Sequence, residues 1–429
     1  MTHPFILFLS LALILATELF AQNDFTPNYD EDQVPNYSLP NPLLLESGKK
    51  VKNQSDWQQR RTEILQRFAT QVYGKTPNQT IELRTKTLSS DQDALAGKAT
   101  RQEVRLFFTE QDTRPYMDIV LFIPNNIDRA VPAFLGLNFY GNHTIHPDPG
   151  ITLSDQWMRK NEDFGIVNHQ ATEASRGVRV SRWPVETIID RGYALASVYC
   201  GDIDPDRNNF QDGVHPLFYG SGQTEPADDE WGTIGAWAWG LSQALDHLRT
   251  QEQIAGDQVV VIGHSRLGKA ALWAGAQDER FAMVISNNSG CGGAALSRRA
   301  YGETVGRINQ SFPHWFGDNF NQYSQNESSL PVDQHMLLSL MAPRPLYVAS
   351  AEEDPWADPK GEFLSAVHAT PVYQLLGKVG LPTTQMPPID KPIVGTIGYH
   401  IRSGGHDINS YDWQQYLDFA DKHFSTERP

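Results

Sequence analysis

The chain has 429 residues, 40% of them hydrophobic and 20% charged, with 33 Gly, 27 Pro and 45 aromatic residues (20 Phe, 15 Tyr, 10 Trp). That is material for a large buried core with many loops, and it excludes a disordered or coiled-coil chain. Against 51 Asp and Glu stand 35 Lys and Arg, a net charge of −16, which argues against a polyanion such as nucleic acid as partner.

At the start, Phe5 to Phe20 (FILFLSLALILATELF) is apolar apart from Ser10, Thr17 and Glu18, and Ala21 is a small residue suited to cleavage. The pattern predicts a signal peptide over residues 1–21, too short and too weakly flanked to be a spanning helix. Met1-Thr2-His3-Pro4 lacks Lys and Arg, a departure from such signals, and an uncleaved anchor is the alternative. No other stretch approaches the ~20 apolar residues of a membrane span. The expectation is a secreted or periplasmic protein, monomeric and without stable membrane association.

Residues 22–53, rich in Pro, Asn and Asp, read as an irregular arm. Trp57 to Tyr73 follows with Ile64, Phe68 and Val72 at helical spacing. Strand-like runs come next at Glu103–Phe108, Asp118–Ile123, Ala133–Phe139, Ala194–Cys200, Gln258–Gly263, Ala282–Asn287 and Pro345–Ser350. The later ones are unbroken apolar runs such as Val259-Val260-Val261-Ile262, typical of strands buried on both faces of a parallel sheet. Helical patterns alternate with them, clearest at Ile234–Leu248 and Leu267–Ala276. This alternation predicts an α/β architecture: a three-layer sandwich with a mostly parallel central sheet, helices on both faces, and long loops inserted at Asn142–Trp183 and Ala300–Gln334. No repeat or long linker divides it, so residues 54–429 are read as one catalytic domain.

Cys200 and Cys291 are either a disulfide or two buried small hydrophobes; their spacing does not decide between these. No metal cluster, phosphate loop or dinucleotide fingerprint is present, so no cofactor is expected.

The chemistry concentrates at Val259 to Lys269 (VVVIGHSRLGK). A buried strand ends at Gly263, Ser265 falls in a tight turn and a helix begins at once. That order sets a serine hydroxyl at the sheet's edge, close to helix N-terminal amides able to stabilise an oxyanion. A simple helix cap is the plain alternative. The generic G-x-S-x-G pattern is not met, since Leu267 precedes Gly268. Arg266 is placed to add a guanidinium at the oxyanion. Lys269, four positions beyond Ser265, lies on the same helix face.

Gly263-His264-Ser265-Arg266-Leu267-Gly268-Lys269 resembles the G-C-S-R-x-G-K signature of glucuronoyl esterases, carbohydrate esterase family 15. His264 replaces the cysteine of fungal members, so their disulfide at that point cannot form. Asn287–Thr304 (NNSGCGGAALSRRAYGET) and Glu352–Glu362 (EEDPWADPKGE) resemble bacterial members. The likeness covers roughly residues 100 to 425. It implies the α/β-hydrolase fold and a serine esterase acting on esters between 4-O-methyl-glucuronic acid of glucuronoxylan and lignin alcohols.

A serine of ordinary pKa needs a base, and the base a carboxylate, in the chain order Ser, Asp/Glu, His. His406 follows the strand-like Thr396–Arg402 and two glycines that allow close approach; the resemblance also makes it the family's histidine. His400, within the strand, and His423, in a terminal helix, read as structural. Many family members carry a glutamate where this chain has Asn288, and no Asp or Glu occurs between Phe281 and Gly302. The acid is therefore assigned to Asp354, on the loop after the next strand, with Glu353 as runner-up. Trp356 would offer an indole face and N–H to a sugar. Glu303 and Lys269 match family residues that contact sugar hydroxyls. Asp358, Glu362, Arg298 and Arg299 fall in the resembling segments without an assigned role. The competing expectations are an acetyl or uronate methyl esterase, or a non-catalytic carbohydrate-binding protein on the same fold.

Overall fold

The computed structural model describes residues 25–424; the expected signal peptide lies outside them. A ten-stranded sheet organises the chain. Its strands are β1 (Arg84–Ala94), β2 (Ala99–Phe107), β3 (Tyr116–Pro124), β4 (Val131–Asn138), β5 (Ala194–Tyr199), β6 (Ile254–His264), β7 (Met283–Asn287), β8 (Leu346–Ala351), β9 (Ile393–Val394) and β10 (Ile397–Arg402). In space they run β1-β2-β3-β5-β4-β6-β7-β8-β10-β9. From β5 to β10 all neighbours are parallel, and the strands outside them pair antiparallel.

The pleat explains why the central strands are apolar throughout, since successive side chains enter opposite cores. Leu135, Val259, Val261, Val284, Leu346 and Val348 face one core, with α1 (Gln54–Gln71), α3 (Thr233–Leu248), α4 (Arg266–Gln277), α6 (Gln334–Ser339) and α7 (Pro359–Leu375) packed over it. Phe134, Val260, Ile262, Met283, Ile285 and Tyr347 face the other, covered by α2 (Val185–Asp190) and α8 (Ser410–His423). A further helix, α5 (Val305–Ser311), belongs to the inserted loop region after β7, and a single helical turn at Cys200–Ile203 follows β5. The expected three-layer, mostly parallel α/β sandwich is therefore the architecture present, and it is that of the α/β-hydrolases.

The expected strands fall within a few residues of those observed. Missing from the expectation are the two-residue β9, a small hairpin of Ile166–Val167 with Gln170–Ala171, and β1, an edge strand of sequence RTKTLSSDQDA that is largely exposed and has no apolar face to signal it. Residues 25–53 are irregular apart from a short turn at Glu31–Gln33 and an antiparallel bridge between Leu44 and Lys50. Cys200 and Cys291 are both free and buried, so the disulfide alternative falls away. Among the described residues no helix is long and apolar enough to cross a membrane.

Candidate active site

The turn at Ser265 follows from local sterics. β6 ends at His264, α4 starts at Arg266, and Ser265 between them is held at φ 58, ψ −131. A non-glycine residue there is strained and persists only when its surroundings impose it. The imposition comes from Gly263: a Cβ on it would lie 2.0 Å from the Leu267 carbonyl oxygen. The helix therefore starts hard against the strand, and Gly268 keeps the next turn close to Ser289.

Three loops at the C-terminal ends of parallel strands then bring distant residues together. His406 Nε2 lies 2.9 Å from Ser265 Oγ, and His406 Nδ1 lies 2.6 Å from Asp354 Oδ2. With Asp354 ionised, Nδ1 carries the proton, so the Ser265 hydroxyl donates to Nε2. His406 keeps 40% of its side chain exposed while Asp354 keeps 4%, which leaves the imidazole open to solvent and the carboxylate buried behind it. Burial alone would raise the Asp354 carboxyl. The hydrogen bond and charge of His406, with the Asn288 amide donating at 2.9 Å, outweigh it and hold the carboxyl below its ordinary range. Glu353, the alternative acid, is exposed, and its backbone N–H donates to the Gly404 carbonyl.

Beside Ser265, the Arg266 guanidinium lies 4.7 Å from the Phe139 ring and 5.7 Å from Trp315, with Nε 3.1 Å from Asp206. Asp206 also accepts from His314 at 3.0 Å and Trp315 Nε1 at 2.8 Å. Its carboxyl, which burial would raise, is held far below the usual range by Arg266 and these donors. The arginine is thus fixed by one carboxylate edge and two aromatic faces.

On another side lie the three residues expected to meet a sugar. Lys269 is buried, donates to the Ser289 carbonyl at 2.6 Å and comes within 4.0 Å of Glu303. Burial lowers the Lys269 ammonium against the pull of Glu303, and raises the Glu303 carboxyl against the pull of Lys269 and a hydrogen bond from Trp356. The Glu303 N–H also donates to the Trp356 carbonyl at 3.0 Å, tying the two loops together. The half-buried Trp356 meets the ring of Phe25 edge to face at 6.1 Å. Lys269, Glu303 and Trp356 therefore form one cluster next to Ser265.

Asn288 and four polar residues of the resembling segments were named in the sequence without a chemical role. Asn288, at φ 46, serves Asp354 as a hydrogen-bond donor. Glu362 is fully buried, accepting from Ser350 Oγ at 2.6 Å and Gly290 N at 3.0 Å. Burial pushes its carboxyl up to about 8 against those hydrogen bonds. Asp358 pairs with Arg299 at 2.8 Å and caps α7 through Gly361 N, while Arg298 pairs with Asp333 at 3.2 Å. These four polar residues of the resembling segments thus brace loops. Among the described residues no cluster of His, Cys, Asp and Glu could hold a metal ion.

A strained serine at a strand–helix turn, a histidine and an aspartate at the ends of later strands, and the mostly parallel sheet define a hydrolase of the α/β-hydrolase class. The family model for glucuronyl esterases of fungi matches residues 211–377. A carbohydrate esterase designated MZ0003, from an unknown prokaryotic organism, is 51% identical over 399 residues, covering 93% of this chain and 92% of that protein. The solved structure of a promiscuous esterase of carbohydrate esterase family 15 from a marine bacterial metagenome is 50% identical with a TM-score of 0.88, covering 93% of this chain and 100% of that one. A glucuronoyl esterase from Solibacter usitatus is 48% identical with a TM-score of 0.87, covering 92% and 100%. The chain belongs to carbohydrate esterase family 15. It is an esterase.

Proposed function

We propose that this chain hydrolyses the ester between 4-O-methyl-glucuronic acid of glucuronoxylan and a lignin alcohol. Ser265 Oγ attacks the uronate carbonyl carbon while His406 Nε2 takes its proton, and Asp354 holds the imidazolium that forms. The carbonyl oxygen becomes an oxyanion facing the first amides of α4, which have no acceptor within the helix, and the Arg266 guanidinium. His406 then gives its proton to the leaving alcohol. Water attacks the glucuronoyl-serine by the same route reversed, releasing the uronic acid. Lys269, Glu303 and Trp356 bind the sugar hydroxyls and ring, and the reaction calls for no metal or cofactor.

The observation that carries the reading is the hydrogen-bonded series Asp354–His406–Ser265 lying beside the Lys269–Glu303–Trp356 cluster. Family membership with a glucuronoyl esterase at 48% identity supports the substrate class. The same proposal places the mature enzyme, from about residue 22, outside the cytoplasm as a monomer with one catalytic domain over residues 54–429. A wider ester range, including acetyl and uronate methyl esters, is the second reading, favoured by the promiscuity ascribed to a relative at 50% identity. Rates on benzyl glucuronate and p-nitrophenyl acetate, with Ser265→Ala as control, separate the two. Preference for the glucuronate supports the first, preference for the acetate the second, and activity surviving Ser265→Ala contradicts the mechanism of both.

A further inference from the structure

Beneath Ser265 and His406 a second set of contacts joins the turn at Ser265 to the loop that carries His406. It starts at Asn287, the last residue of β7. The Asn287 backbone oxygen accepts from Ser265 N at 2.9 Å. Its side-chain Oδ1 meets His264 Nδ1 at 2.6 Å, and its Nδ2 donates to Asp412 Oδ1 at 3.2 Å and the Tyr416 hydroxyl at 2.8 Å. Asp412 Oδ2 accepts from Arg402 Nε at 2.9 Å. Arg402 then donates to the carbonyls of Ser403, Gly405 and Asp407 at 2.8, 3.0 and 2.7 Å. Those carbonyls bracket His406. His264, Asn287, Arg402 and Asp412 are all buried.

A buried guanidinium is costly, and an apolar residue at the end of β10 would fill the space at lower cost. What an apolar residue lacks is a rigid fork of five donors able to hold three carbonyls in one plane of reach. The loop needs such a hold. It contains Gly404 at φ 88 and Gly405, so its own sequence leaves the backbone loose. The imidazole of His406 is otherwise positioned by Ser265, Asp354 and the ring of His264, whose centroid lies 4.7 Å away. Proton transfer tolerates little drift, because a shift of ~1 Å costs about a hundredfold in rate.

We propose that Arg402, itself held by Asp412 and Asn287, is a positioning residue that fixes the loop over residues 403–407 and thereby the distance from His406 Nε2 to Ser265 Oγ. His264 is the floor beneath the imidazole. This inference rests on His406 being the base of the proposed mechanism. A residue that only stabilised the fold would, when replaced, reduce the fraction of enzyme folded and leave each folded molecule as fast as before.

The test uses the full mature enzyme with Arg402→Ala, Arg402→Lys and Asn287→Ser, the last retaining the backbone bond to Ser265. Intact nucleophile is counted by end-point titration with a fluorophosphonate, so kcat is read per titratable serine even in a poorly folding preparation. The expected result with benzyl glucuronate is a kcat per site lowered about tenfold to a hundredfold in Arg402→Ala, with a much smaller change in KM. Arg402→Lys and Asn287→Ser lie between it and the parent, and added guanidinium restores part of the rate of Arg402→Ala alone. A kcat per site within about twofold of the parent in both Arg402→Ala and Asn287→Ser overturns the proposal, whatever happens to Tm. His406→Ala run beside them separates the failures, since undiminished activity there would sink the assignment of the base instead.

Discussion

At Asp354 burial and charge oppose each other, and the balance has consequences that can be measured. The carboxyl is held below its ordinary range, which favours the ionised form that fixes the His406 proton on Nδ1. Asp354→Asn removes that control while keeping the shape, and kcat on benzyl glucuronate should fall by about 10³ to 10⁴. Glu353→Gln should leave it close to the parent value, because Glu353 contributes only its backbone to the site. The sign of the linkage is also set. A carboxyl whose folded pKa is depressed contributes stability above its unfolded pKa and loses it as pH falls through the folded value. Asp354→Asn should therefore flatten part of the acid limb of the stability profile. Glu362 behaves oppositely. Its carboxyl, raised to about 8 from 4.5, binds a proton in the folded enzyme that the unfolded chain has lost. Stability should decline as pH rises between those values, and Glu362→Gln should lack this decline. Tm measured across that window should show the variant gaining on the parent toward the alkaline end. A constant difference between the two would contradict the buried, protonated state.

At the scale of elements, the turn from β6 into α4 is the most constrained piece of backbone in the site. Gly263→Ala would push a methyl group against the Leu267 carbonyl, so the expected outcome is a loss of several kcal/mol or failure to fold, read by denaturant unfolding. A normal unfolding midpoint would show that the helix can start further from the strand. This turn was legible in the sequence because a run such as Val259-Val260-Val261-Ile262 ending in glycine and serine has few other uses. The approach of His406 and Asp354 to Ser265 was legible for a related reason: both follow strand-like runs in the order Ser, Asp, His. The edge strand β1 was not, since a strand exposed on most of its length carries no hydrophobic period. Nor was the support from Asn288, Asp206 and Arg402. Their contacts join residues 66, 108 and 10 positions away or nearby carbonyls, and polar residue types alone do not say which partner they meet.

Across the whole molecule, the N-terminal arm reaches the loops around Arg299 and Trp356 from the far end of the chain. Glu31 pairs with Arg299 and Lys360, each at 2.6 Å and 268 and 329 positions away. Gly302 N donates to the Asn28 carbonyl at 2.9 Å, and Phe25 packs against Trp356 and lies under Arg307. The arm thus lies over the loops that present Glu303 and Trp356. A mature enzyme beginning at Asp32 should bind the glucuronate ester less well, with KM raised several-fold and kcat on p-nitrophenyl acetate little changed, as expected when ground-state contacts to the sugar loosen while the triad stays intact. Equal KM values for both forms would confine the arm to a structural part. Composition marked the arm as irregular; where its described part docks depended on charges placed hundreds of residues later.

The most direct measurement is the state of Ser265 during turnover. Benzyl glucuronate mixed with the enzyme and quenched in acid within the first turnovers should yield, by mass spectrometry of the digested chain, a peptide carrying one glucuronoyl group on Ser265. The label should be absent from Ser265→Ala and should decay with release of glucuronic acid. Hydrolysis that proceeds at full rate without acylation, or with the label on another residue, would contradict the account of this site as a Ser265–His406–Asp354 esterase.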